Sequence, residues 1–124
     1  MNKRTEKDLY KPILIFLNAQ PSTKAWLHHN NAIYLPKIRC FVRKAEQEDG
    51  IPDILGVKNG KAFAFEVKAT GRIRKALKIE ASTINPVKNV EPNQIIWMVR
   101  FVLCGGKAFV VDNLQDVIQL WNDI

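Results

Sequence analysis

The sequence predicts an α/β fold: a mixed central β-sheet flanked by helices, in the order α-β-β-β-β-α-β-α. Three observations carry that expectation. Asn59-Gly60 separates two strand-like runs, 52–58 and 61–69. Asn-Gly is the strongest short hairpin signal, because both central residues of a type I′ turn need positive φ. Segments 9–19, 92–104 and 113–122 repeat apolar residues at helical spacing. The last two of these bracket the apolar run KAFVV at 107–111, giving helix, strand, helix in succession. At 124 residues the chain has the length of one domain, and 1–124 is read as a single unit without repeats or low-complexity linkers.

The elements follow in chain order. Residues 9–19 place Leu9, Ile13, Phe16 and Leu17 on one helical face, with Thr5 or Asp8 as cap. Pro12 falls inside this run, where proline removes a hydrogen bond and clashes with the preceding turn, so the helix either starts near Asp8 or kinks. QPST at 20–23 is a loop. Residues 25–34 and 37–43 are short strands around Pro36, and 44–50 form a polar connection. The hairpin follows, then an irregular stretch, 70–91, punctuated by Gly71 and Pro86. The helix over 92–104 turns Ile95, Met98, Val99 and Val102 inward; Pro92 suits its first turn and Gly105-Gly106 ends it. The final helix, 113–122, turns Leu114, Val117, Ile118 and Trp121 inward. Trp26, Trp97 and Trp121 are read as core side chains.

Composition narrows the classes. A 47% apolar content is ordinary for a globular domain. A chain of this length buries about two thirds of its unfolded surface and needs no disulfide. Cys40 and Cys104 lack metal-type spacing and read as free thiols in a reducing compartment. MNKRTEKDLYK has no apolar run of signal length, and Arg100 interrupts the longest candidate span, so a soluble cytoplasmic protein without a membrane partner is expected. The net charge is +7, with 19 Lys and Arg against 12 Asp and Glu, which favours a polyanionic partner, nucleic acid first.

A two-residue turn fixes the hairpin register. Lys58 faces Lys61, Val57 faces Ala62, Leu55 faces Ala64 and Asp53 faces Glu66, with opposed Cβ atoms about 4.5–5.5 Å apart. Alternation puts Glu66 and Lys68 on one face and Phe63, Phe65 and Val67 on the other. Asp53, Glu66 and Lys68 therefore converge at one edge of one face. Opposed like charges destabilise, and more so when partly buried. Lys68 can neutralise part of that charge, or a divalent cation with hard oxygen ligands can bind between the carboxylates. A surface ion-pair cluster is the plainer alternative. Against it stands the setting, AFAFEVKA, an otherwise apolar strand.

Pro52-Asp53, twelve intervening residues and Glu66-Val67-Lys68 resemble the PD-(D/E)xK nuclease motif. That motif is short, and the surrounding order is more specific: an acidic N-terminal helix, HHNNA, DGIPDILGVKNGKAFAFEVKATGR, NQIIWMVRFVLCGG, KAFVV and DNLQDVIQLW. Over nearly the whole chain this order resembles the VRR-NUC branch, the virus-type replication-repair nuclease domain. The resemblance implies a restriction-endonuclease-like core and a metal-dependent DNA endonuclease that hydrolyses phosphodiester bonds. It implies Mg²⁺ as cofactor, with Mn²⁺ substituting. It also implies selectivity for branched DNA such as Holliday junctions or flaps, a homodimeric assembly as in some stand-alone relatives, and a bacterial or phage-infected host cytoplasm. A noncatalytic DNA-binding module with a nuclease-like fold is the alternative.

By the same resemblance Asp53 and Glu66 are the metal-binding carboxylates, and the backbone carbonyl of Val67 lies near the metal. Lys68 positions the attacking water or stabilises charge, and Gln94 is the glutamine near the active site. Glu6, with Asp8 as rival, is the acidic residue of the first helix that completes the metal site. Asn30 and Asn31 stand where the family has an asparagine near the site. Arg39, Arg43, Arg72, Arg74 and Lys75, with Lys37 and Lys44, are expected to hold phosphates without reading sequence. His28 and His29, on a strand, point to opposite faces and do not share an ion. One departure is clear: the family's glutamine follows its lysine more closely, whereas 25 residues separate Lys68 from Gln94 here. The extra segment, a basic insertion at about 70–91, either grips DNA, orders on binding it, or is a solvated loop.

Overall fold

A computed structural model describes residues 4–28, 32–35, 37, 40–43, 48–84 and 86–124, with the backbone alone described at 32–35 and 40–43. Helix α1 spans Glu6–Asn18 and opens on a reciprocal cap: the Thr5 hydroxyl accepts the Asp8 N–H, and the Asp8 carboxylate accepts the Thr5 N–H. Leu9, Ile13 and Leu17 form its buried stripe. The helix runs through Pro12 and starts before Asp8, earlier than the proline suggested. Burial of that stripe outweighs the local penalty, as packing commonly does for a helix this short. Phe16 is only half-buried and meets Trp121 edge-on at 6.1 Å.

The expected strand over 25–34 divides in two. β1 (Thr23–Leu27) pairs antiparallel with β4 (Ile54–Lys58), whereas β2 (Ala32–Leu35) pairs with β3 (Cys40–Arg43) in a separate two-stranded sheet. The β1–β4 ladder ends after the His28 N–H donates to the Asp53 carbonyl at 2.7 Å.

β4 and β5 (Lys61–Val67) form the expected hairpin, with Asn59 and Gly60 at φ of 54° and 81°. The pairs Lys58–Lys61, Val57–Ala62 and Leu55–Ala64 match the predicted register, which continues to Asp53 opposite Glu66 just before β4 begins. β5 then pairs parallel with β7 (Lys107–Val111), through the helix α2 (Pro92–Leu103). The last helix is α3 (Leu114–Leu120), capped by Asn113 Oδ1 on the Asp116 N–H and followed by a 3-10 turn at Trp121–Asp123.

The 70–91 segment is not irregular throughout. It supplies a short edge strand, β6 (Leu77–Lys78), paired antiparallel to β7, and it buries Ile79 and Val90. The five-stranded sheet thus runs β1-β4-β5-β7-β6, and among the described residues six strands rather than four precede α2. A two-residue strand has no readable period, which is why sequence pattern did not show it.

The sheet separates two cores. Phe63, Phe65, Val67 and Phe109 pack with α1, Val117 and Trp121; the rings of Phe65 and Phe109 stack at 5.3 Å. On the other face Ala64, Ala108 and Val110 pack with Ile79, Ile95 and Met98. Small alanines there let α2 lie close to the sheet. Two expected core residues sit elsewhere: Trp26 is 44% exposed on edge strand β1 and Ile118 is 37% exposed. Trp97 is half-buried at the border of the second core, stacked on Phe101. Among the described residues no helix is long and apolar enough to cross a membrane. Cys104 is an exposed free thiol; Cys40 falls on β3, where side chains are not described.

Candidate functional site

Strand alternation puts Glu66 on the alanine face of β5, at the end where α2 begins. There it is 2% exposed, an ionisable group under a helix start. Asp53 stands opposite, held by two donors: the Val67 N–H reaches Oδ2 at 2.9 Å and the Tyr10 hydroxyl reaches Oδ1 at 3.1 Å. α1 contributes Glu6 one turn before Tyr10, on the same helical face. Carboxylate oxygens of Glu6, Asp53 and Glu66 lie within 4.8 Å of one another. Glu6, not Asp8, is the acid of the first helix that reaches this cluster, because Asp8 is engaged in capping Thr5.

Gln94 ties the cations and acids together. Its Nε2 donates to Glu66 Oε2 at 2.7 Å, and its Oε1 accepts from Lys68 Nζ at 3.2 Å and from the Glu91 N–H at 3.1 Å. Lys68 Nζ also lies 3.2 Å from Glu66 Oε2. The start of α2 is held by Gly50, whose φ is 81° and whose backbone lies so close that a Cβ would come within 2.3 Å of the Asn93 carbonyl oxygen. A side chain at position 50 would push the helix start, and with it Gln94, away from Glu66.

One atom of this network is unanswered. Glu66 Oε1 is buried and has no hydrogen-bond partner among the described residues. A buried carboxylate oxygen without a donor is costly if ionised. The Glu66 carboxyl is accordingly pushed up to about 8, by burial first and the Asp53 charge second, against the pull of Lys68. Asp53 is also raised, by burial, with the Val67 N–H, Tyr10 and Lys68 opposing. Burial and the Asp53 charge raise the Tyr10 hydroxyl well above its ordinary value, so it stays a donor. Three clustered carboxylates and an orphaned oxygen make an all-oxygen donor set, the kind that hard divalent cations such as Mg²⁺ and Mn²⁺ prefer.

Two openings of about 350 Å³ each flank the cluster. One is lined by Tyr10, His28, Glu48, Asp53 and Gln94 among others. The second is lined by Glu6, Lys68, Arg72, Asn89, Val90 and Glu91. Of the expected phosphate-holding residues, Arg72 lines the second opening, while Arg74 and Lys75 are exposed and line neither. Asn30, Asn31 and Arg39 lie outside the described residues, as do His29 and Lys44, and Arg43 is on β3, described as backbone only. Sequence reasoning missed Tyr10 and the Glu91 N–H. Tyr10 stands four residues after Glu6, a spacing that would have paired them had Pro12 not obscured the helix start.

No protein-family model matches the chain, and no curated protein matches it closely enough to count as a relative.

Proposed function

We propose that this chain is a metal-dependent nuclease with a restriction-endonuclease-like core, hydrolysing phosphodiester bonds in DNA. The observation that carries the proposal is the carboxylate cluster of Glu6, Asp53 and Glu66, with Glu66 Oε1 buried and partnerless and Lys68 beside it. An ordinary ion-pair network would satisfy that oxygen. The net charge of +7 supports a polyanionic substrate. The antiparallel β4–β5 hairpin leading through α2 to a parallel β7 supports the fold assignment.

Asp53, Glu66 and Glu6 would hold the cation, with the Val67 carbonyl as a neighbouring backbone oxygen. A bound Mg²⁺ would neutralise these carboxylates, polarise a phosphoryl oxygen and lower the pKa of a water. Lys68, fixed by Gln94 and Glu66, orients the attacking water or stabilises negative charge developing on the phosphoryl oxygens. Tyr10 and the Val67 N–H keep Asp53 oriented and favour its ionised form. Action on branched DNA as a homodimer belongs to the same proposal.

The test is cleavage of labelled duplex, single-stranded, flap, splayed-arm and four-way-junction DNA, with Mg²⁺, Mn²⁺ or EDTA. Asp53→Ala and Lys68→Ala run alongside. Metal-dependent cutting of at least one substrate, lowered at least about 100-fold by each substitution, is expected. Cutting that survives both substitutions would overturn the assignment of the site. Binding without cutting would leave a DNA-binding module in place of an enzyme.

A further inference from the structure

The 70–91 segment begins and ends at the cluster and is anchored along its length. After Lys68 the chain turns at Thr70-Gly71. There the Gly71 N–H donates to the buried Asp112 carboxylate at 2.8 Å and the Thr70 hydroxyl donates to the Asp112 carbonyl at 3.2 Å. In its middle, β6 joins the sheet and Ile79 enters the core. At its far end Asn89, at a φ of 64°, donates its side-chain amide to the Arg72 carbonyl, one residue before the buried Val90. Residues 72 and 89 are thus tied to each other across the rim of the opening that also holds Glu6 and Lys68.

The cations of this segment, Arg72, Arg74, Lys75, Lys78 and Lys88, are all exposed. Arg72 is the one among them that lines that opening, and its guanidinium has no hydrogen-bond or ion-pair partner among the described residues. The opening on the other side of the cluster carries Glu48, Asp49, Asp53 and Glu91 and no lysine or arginine among its lining residues. On the Arg72 side Glu6 and Glu91 are balanced by Lys68 and Arg72, so a phosphate meets far less repulsion there than in the first opening. A planar guanidinium also offers paired donors that match phosphate geometry, which an ammonium does not.

We infer that Arg72 is a substrate-binding residue that holds a backbone phosphate on the Lys68 side of the cluster, and that Asn89 is a positioning residue that fixes the Arg72 backbone. The phosphates of the bound strand run along the Arg72 side, away from the acidic opening. This rests on the nuclease reading above and adds to it the path of the strand.

Fluorescence anisotropy of a labelled DNA oligonucleotide, in EDTA so that binding is read without cleavage, tests it over a series of salt concentrations. Arg72→Ala should weaken binding about tenfold and lower the magnitude of the salt slope by about one. Arg72→Lys should restore the slope and only part of the affinity. Asn89→Gly, which tolerates the positive φ but lacks the amide, should weaken binding less than Arg72→Ala with the slope retained. Arg74→Ala, outside the opening, should change affinity by no more than about twofold. Wild-type affinity and slope in Arg72→Ala, or an equal loss in Arg74→Ala, would overturn the assignment of Arg72. Wild-type affinity in Asn89→Gly would overturn the positioning role. A wild-type protein that does not bind the oligonucleotide in EDTA and cuts none of the DNA substrates above with Mg²⁺ or Mn²⁺ would instead remove the nuclease reading itself.

Discussion

Replacing Glu66 by glutamine removes one buried ionisable carboxyl and keeps its shape. In the metal-free protein this carboxyl is raised from near 4.5 to about 8. Between those values the folded state keeps a proton that the unfolded chain releases. Stability of the metal-free protein therefore falls as pH rises from about 4.5 to about 8, and Asp53, raised as well, acts in the same direction. At about 1.4 kcal/mol per pH unit the ceiling is about 5 kcal/mol. Relaxation around the charge lowers it, leaving a few kcal/mol, or roughly 10 °C in melting temperature for a chain of this length. The assay is thermal denaturation in EDTA at pH 5, 6.5 and 8. Wild type and Glu66→Gln should melt together at pH 5, and the variant should melt roughly 10 °C higher at pH 8. Adding Mn²⁺ at pH 8 should raise the wild type and leave the variant nearly unmoved. Equal pH slopes would refute the reasoning. A variant melting below wild type at pH 8 would do so too, since it would make Glu66 a net stabilising partner of Lys68.

Two other substitutions test parts of the same framework. Tyr10→Phe removes one donor from Asp53 and should cost about 1 kcal/mol of stability. It should also raise the Mg²⁺ concentration needed for half-maximal cleavage about tenfold, and an unchanged Mg²⁺ titration would take Tyr10 out of the site. Ile79→Ala, at a residue 1% exposed within the 70–91 segment, should cost about 3 kcal/mol in urea unfolding, whereas a loss near zero would make the segment a solvated loop.

The hairpin, α2, β7 and α3 were legible because their signals are local. Asn59-Gly60 dictates its own turn, and the turn dictates the opposition of Asp53 and Glu66. Pro92 and Gly105 punctuate α2 at both ends. The failures are nonlocal. Nothing within 25–34 announces that β1 joins β4 while β2 joins β3, since pairing partners lie outside the segment. Nothing in 70–91 announces an edge strand of two residues. At α1, propensity pointed one way at Pro12 and the buried stripe of Leu9, Ile13 and Leu17 another, and burial prevailed. That same misjudged start hid Tyr10 and left Glu6 and Asp8 unresolved as candidates.

The two faces of β5 explain why so unfavourable a cluster can persist. Phe63, Phe65 and Val67 fill the core against α1 and α3, and that burial holds the strand in register. A slip of one residue would turn the phenylalanines toward α2 and the alanines toward α1, a loss far larger than the repulsion among the acids. Glu66 is thus held in an unfavourable place by residues on the opposite side of its own strand. Gln94 and Gly50 hold the facing helix start against it. The charge imbalance is carried by the fold as a whole, so neutralising the acids should stabilise the protein without rearranging it. A cation and a glutamine at position 66 are two routes to that same stabilisation, and only the first leaves a site that can act on a phosphodiester.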